Sequence, residues 1–188
     1  MPDGWFEVPR TEEGLAAIGA ELDALVDTSE ARALLGRAAR VASEETAADP
    51  HPNRRTWAGV GDREAGRVDA YLTLETLTVR GLDQDWFLNA WSTFEPGGGN
   101  DMWLRDYEKK TLSGRRAVSG RDFMQAPADD SGNRQLTETY RAVLFTPVLS
   151  TVLLMSIITK DLGVFEDIVG YGDTIADTFT FSNVRSAA

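Results

Sequence analysis

The sequence predicts an α+β fold in a single domain: an antiparallel β-sheet flanked by helices on both faces, an α/β/α sandwich. Three observations predict it. Apolar residues recur at intervals of three and four near both ends of the chain, but alternate with polar ones through much of the middle. The strand-like stretches adjoin one another across short turns, which pairs them antiparallel. Each candidate helix carries one apolar stripe, so each must bury it against a sheet face.

The elements follow in order. Trp5-Phe6-Glu7-Val8-Pro9 reads as a short edge strand ended by proline. Thr11 offers an N-cap, with Glu12 and Glu13 in the first turn where the helix dipole favours anions. Leu15, Ile18, Leu22, Leu25 and Val26 then form one helical stripe. Asp27-Thr28-Ser29 re-caps the chain, and a second helix turns Ala31, Leu34, Leu35, Ala38, Val41 and Ala42 inward, giving a helical segment over about 11–45. Asp49-Pro50-His51-Pro52-Asn53 is a turn by composition. Strands follow at 55–60 and 68–79. The second slips phase between Leu74 and Leu77, which predicts a bulge near Glu75 and Thr76.

Leu82-Asp83 opens a helix bearing Trp86, Phe87, Ala90, Trp91 and Phe94, and Pro96-Gly97-Gly98-Gly99 closes it. Strands at 107–112 and 117–125 flank a hairpin turn over Ser113-Gly114-Arg115-Arg116. Two more, at 135–145 and 151–160, are joined over 146–150. A last helix, capped by Asp161, aligns Leu162, Phe165, Ile168, Val169, Ile175, Ala176 and Phe179. Gly170 and Gly172 inside it point to close packing on the sheet or a kink, since a helical glycine costs roughly 1 kcal/mol against alanine.

Composition excludes several functions. The chain has 188 residues, no cysteine and a formal charge of −11. Without cysteine there are no disulfides, thiolate metal sites or thiol nucleophiles. A surface this acidic repels a polyanion, so no nucleic-acid partner is expected. The apolar run at 142–158 is interrupted by Thr146, Pro147, Ser150 and Thr151. It falls short of the ~20 residues a helical span needs, so no membrane span is expected. Residues 1–10 lack the basic and apolar stretches of a secretory signal. The expected location is cytoplasmic, with earlier removal of a leader left open. Arginine outnumbers lysine 16 to 3, a bias expected of GC-rich codon usage.

A resemblance rests on particular stretches. GWFEVP at 4–9 followed by a helix, SGRRAVSGRDF at 113–123, LTETYRAVLFTPVLSTVLLMSIITKDL at 136–162 and VFEDIVGYGDTIADTF at 164–179 together resemble the PsbP-like superfamily. That superfamily includes the Ran-binding Mog proteins, LpqN-type actinobacterial proteins and chaperones of secretion effectors. The resemblance lies in element order and covers most of the chain. It implies a mostly non-catalytic fold that binds other macromolecules, and it transfers no site residue. The long helical segment near the N-terminus departs from it.

No motif supplies catalytic residues, a metal site or a cofactor, and none of these is expected. His51 is the single histidine and sits between two prolines, a poor setting for a triad base. Gly97-Gly98-Gly99-Asn100-Asp101 lacks the Gly-Lys-Ser/Thr of a phosphate loop. Asp129-Asp130-Ser131-Gly132-Asn133 lacks the register of a calcium loop.

Two features stand above this background. Residues 105–121 hold Arg105, Lys109, Lys110, Arg115, Arg116 and Arg121 against two acids, while residues 1–30 hold eight acids against Arg10. Trp86, Phe87, Trp91, Phe94, Trp103 and Tyr107 crowd one short stretch. The expected partner-binding residues are therefore Lys109, Lys110, Arg115, Arg116 and Arg121, for an acidic segment, and Trp103 as an aromatic anchor. The leading function is a non-enzymatic protein-binding or adaptor domain. A small hydrolase or lyase with a carboxylate-based site and a secretion-related chaperone for an apolar client segment remain alternatives. The oligomeric state stays open.

Overall fold

The computed structural model describes residues 3–148 and 150–181; residues 1, 2, 149 and 182–188 of the expected domain lie outside that description. Seven strands form one sheet: β1 (Trp5–Glu7), β2 (Arg55–Asp62), β3 (Arg67–Thr78), β4 (Asp101–Leu112), β5 (Arg115–Gln125), β6 (Leu136–Phe145) and β7 (Thr151–Thr159). Their order is β1-β2-β3-β7-β6-β5-β4, and every neighbouring pair is antiparallel. The apolar run at 142–158 is divided between β6 and β7, and among the described residues no helix is long and apolar enough to cross a membrane.

Helices cover both faces. α1 (Glu12–Ala17), α2 (Gly19–Ala24) and α3 (Ser29–Ala48) lie over β1–β3, and α4 (Gln84–Thr93) lies over the other end of the same face. α5 (Ile168–Asp177) covers the opposite face. The sequence chooses these starts through side-chain caps. Thr11, Thr28, Asp83 and Asp167 each accept a hydrogen bond from a first-turn amide of α1, α3, α4 and α5.

Five expectations are corrected. The first helix is broken at Ile18 into α1 and α2. α3 turns Ala31, Leu35, Ala39, Ala42 and Thr46 to the core, leaving Leu34 and Val41 outside at 42% and 54% exposure. Alanine at three of those five positions lets α3 lie close to the strands, which the longer side chains of a leucine stripe would prevent. β4 starts at Asp101 and not at Tyr107. The final helix starts at Ile168, so Asp161 holds a turn through the Gly163 amide, and Leu162 and Phe165 belong to the loop before α5.

The fifth correction concerns the bulge. β3 pairs with β7 without interruption from Ala70 to Thr78, so nothing bulges at Glu75. The irregularity lies in the β2–β3 pair, where Asp69 and then Gly61 are skipped by the register. The Asp69 carboxylate accepts the Gly61 amide at 3.0 Å and closes the break. The phase slip instead reflects a central strand covered on both sides. Leu72 and Leu74 face α5, while Tyr71 and Leu77 face the helices opposite.

The seat of α5 is the tightest point of the core. Tyr140, wholly buried in β6, lies under Gly172, where a Cβ would come 2.5 Å from the ring. Gly172→Ala should therefore destabilise the domain by about 1–3 kcal/mol through overpacking. Gly36→Ala, in a helix interior with nothing within 4 Å of an added Cβ, should stabilise it by about 0.5–1 kcal/mol. Urea melts of the two variants check this, and a harmless Gly172→Ala would mean that α5 sits higher on the sheet.

Candidate functional site

The face under α1–α4 carries an unusual row. Cross-strand register places Tyr107, Gly120, Arg141, Ser156, Thr73 and Thr56 side by side across six strands. None is aliphatic, and the row crosses the sheet in the gap between α3 and α4. Gly120 has no side chain, so Arg141 reaches across it. Its Nη1 donates to the Tyr107 hydroxyl at 3.0 Å and to the buried Asp122 carboxylate. Tyr107 also donates to Asp122, at 2.5 Å, and burial pushes its hydroxyl well above the usual phenol range. In mid-row the Thr73 and Ser156 hydroxyls share a hydrogen bond of 2.7 Å.

Beside the row, Glu75 is buried and accepts two bonds from Arg54, at 2.7 and 3.1 Å. His51 Nδ1 lies 2.9 Å from its other oxygen, and Arg54 also holds Asp49 at 3.0 Å. Trp91 of α4, tilted against Tyr107, helps close a depression of about 350 Å³ floored by Thr73, Ser156, Leu154 and Ile158, with Arg54, Glu75 and Arg141 around it. Every charged group here already has an opposite charge beside it. The two hydroxyls bond each other, and Arg54 ties Asp49, the C-cap of α3, to Glu75 of β3.

Sequence reading missed this network. Its signal was present: Glu75 in LTLETLT, Asp122 in SGRDFM and Arg141 in TYRAVLF are charges inside strand patterns, each at the position that faces the helices. His51, expected in a solvated loop, is half exposed but tied to Glu75.

The expected partner-binding cations are not brought together. The β4–β5 turn is only Ser113-Gly114, both with positive φ, and Leu112 pairs Arg115, so Arg115 and Arg116 begin β5. A two-residue loop of this kind matches the twist of the strands it joins. The Ser113 amide and hydroxyl are bound by the Asp177 carboxylate and the Phe179 carbonyl, which docks the hairpin tip on the end of α5. Arg115 lies over Phe181 and Arg116 over Phe145, on opposite faces of the sheet. Lys109 pairs with Asp85 of α4 at 2.5 Å, Lys110 with Asp173 of α5 at 2.6 Å, and Arg121 with Glu138 at 3.2 Å.

Trp103 is different. It falls at a register shift in the edge strand β4 and is 65% exposed. Trp86 and Phe94, at the two ends of α4, are about half exposed, and Leu104 follows on β4 at 40%. Arg105 ties the elements together by donating to the Ser92 and Phe94 carbonyls at the end of α4. The inward side of the same helix, Phe87 and Trp91, is packed on Phe145 and Tyr107. The aromatic stretch thus splits into a core half and a surface half.

No protein-family model and no curated protein sequence matches the chain. Among solved structures it is similar to the Ran-binding protein Mog1p of Saccharomyces cerevisiae and to a point mutant of protein Mog1. Each shares 15% identity and a TM-score of 0.37, over 61% of this chain and 65% of the other. The likeness thus spans less than two thirds of Mog1p, and it assigns this chain no partner.

Glu138 gives this region a pH dependence. Burial raises its carboxyl above the usual range, against the opposing pull of Arg121. The native state therefore holds this proton more tightly than the unfolded chain does. The stability it supplies is complete below the ordinary Glu value and is lost as pH rises through the raised native value. Glu138→Gln should remove that fall. Urea midpoints measured across this window check it, and profiles of identical shape would count against the assignment.

Proposed function

We propose that this chain is a protein-binding domain of the PsbP-like kind that engages its partner through the surface of α4 and the start of β4. The observation that carries the reading is the exposure of Trp86, Phe94, Trp103 and Leu104 at one end of the sheet. Tryptophan in particular supplies large contact area at low entropic cost and dominates the energetics of many interfaces.

The open edge of β4 supports the same reading. From Arg105 to Lys110 the strand is lined with charges, the usual guard against unwanted strand pairing. From Asp101 to Leu104 that guard gives way to Met102, Trp103 and Leu104. Of the residues expected from sequence, Trp103 belongs to this surface and Lys109 lies further along the same strand, held by Asp85 of α4.

A photo-crosslinking phenylalanine analogue at position 103, expressed in the native host, should give a discrete adduct with another protein. The adduct should fall about tenfold in yield when Trp86→Ser and Phe94→Ser are added. The analogue at the exposed Val41 of α3 serves as control. Adducts of equal yield and pattern from positions 103 and 41 would remove this surface from the interface.

A further inference from the structure

A concavity of about 820 Å³ lies at the far end of the sheet on the α5 face, between β1, the β2–β3 break and α5. Three aromatic residues wall it. Trp5 lies flat on Gly59, since a Cβ there would meet three atoms of the indole at 3.0–3.1 Å. Its Nε1 donates to the Tyr171 hydroxyl at 2.7 Å, and Phe165 leans on the Tyr171 ring with centroids 4.9 Å apart. Asp3, Asp69, Glu166 and Asp167 stand around these rings, and among the described residues no Lys, Arg or His lines the cavity.

The site is built with glycine where its key groups sit. Gly59 makes room for Trp5, Gly61 for the Asp69 carboxylate and Gly170 for the Asp167 carboxylate; a Cβ at the last two would come within 2.7 and 2.5 Å of those oxygens. Two of the four acids are already committed, Asp69 to Arg67 at 2.5 Å and Asp167 to capping α5. Glu166 and Asp3 are exposed and have no ion pair among the described residues.

We propose that this cavity binds an organic cation, an ammonium or guanidinium group held between the aromatic walls and the acidic rim. Aromatic faces attract cations through their quadrupole, most strongly where water is displaced. Glu166 and Asp3, unpaired among the described residues, supply charge that a neutral apolar ligand would not need. The chain already makes such an arrangement internally on this face. Arg55 sits 5.0 Å over the ring of Trp57 while Glu7 binds its guanidinium at 2.5 and 2.8 Å.

The test uses choline, its uncharged isostere 3,3-dimethylbutan-1-ol and N-acetyl-arginine amide. The readout is the indole N–H resonance of Trp5, identified by its absence in Trp5→Phe. At least one cation should shift this resonance saturably, and the alcohol should bind about tenfold more weakly. Glu166→Lys should weaken the cation by about tenfold without moving the melting temperature, and added salt should act in the same direction. The stronger of the two cations tells whether the natural source is a free quaternary amine or an arginine side chain of a peptide. Equal binding of choline and the alcohol would show a merely apolar pocket and overturn the proposal. So would affinity unchanged in Glu166→Lys, or no saturable shift with either cation.

Discussion

One buried tyrosine holds the two layers of the α5 face in place. Tyr140 has no exposed surface, and burial drives its hydroxyl far above the ordinary phenol range, so it acts only as a hydrogen-bond donor and acceptor. It donates to Asp173 of α5 at 2.8 Å. The same carboxylate accepts Ser119 of β5 at 2.8 Å and Lys110 of β4 at 2.6 Å. One side chain of the helix is thus bound from three adjacent strands. The contact works because Gly172 lets the helix rest on the tyrosine ring. With α5 fixed, the hairpin tip at Ser113 can dock on its C-terminal end, and the loop before it can place Phe165 against Tyr171.

The opposite face is organised by a different constraint. An apolar helix laid over its polar row would strip water from charged groups, which costs several kcal/mol for each ion even where it is paired. The helices therefore divide, α1–α3 on one side of the row and α4 on the other, and the row satisfies itself through Asp122, Arg141, Glu75 and Arg54. This division pushes α4 out towards the β4 edge. There its inner aromatic residues fill the core and its outer ones, with Trp103, reach solvent. The exposed aromatic surface is in that sense a consequence of where the charges lie on the sheet.

The two proposed binding surfaces occupy opposite ends and opposite faces of the sheet. They also differ in chemistry. The α4–β4 end presents apolar area beside an open strand edge, suited to another protein. The β1–α5 cavity is open, walled by aromatic rings and rimmed by acids, suited to a small positive group.

Much of the architecture was legible in the residues alone. The change of apolar period marked helices and strands. Thr11, Thr28 and Asp83 marked helix starts, and the short turns implied antiparallel pairing, because these signals act within a few residues of one another. Gly172 in a helix called for close packing on the sheet or a kink, and the structure shows the first, against Tyr140. Tertiary structure alone decided the partners. Strand order placed β7 between β3 and β6, which brought Ser156 beside Thr73 and Arg141. It also paired cations that look clustered in sequence with acids from α4, α5 and β6, dispersing the basic island over two faces. The cavity at Trp5 joins residues from opposite ends of the chain, as the Trp5–Tyr171 bond shows. Local pattern cannot report such contacts, because they depend on which strands pair and on the side of the sheet to which alternation turns each side chain.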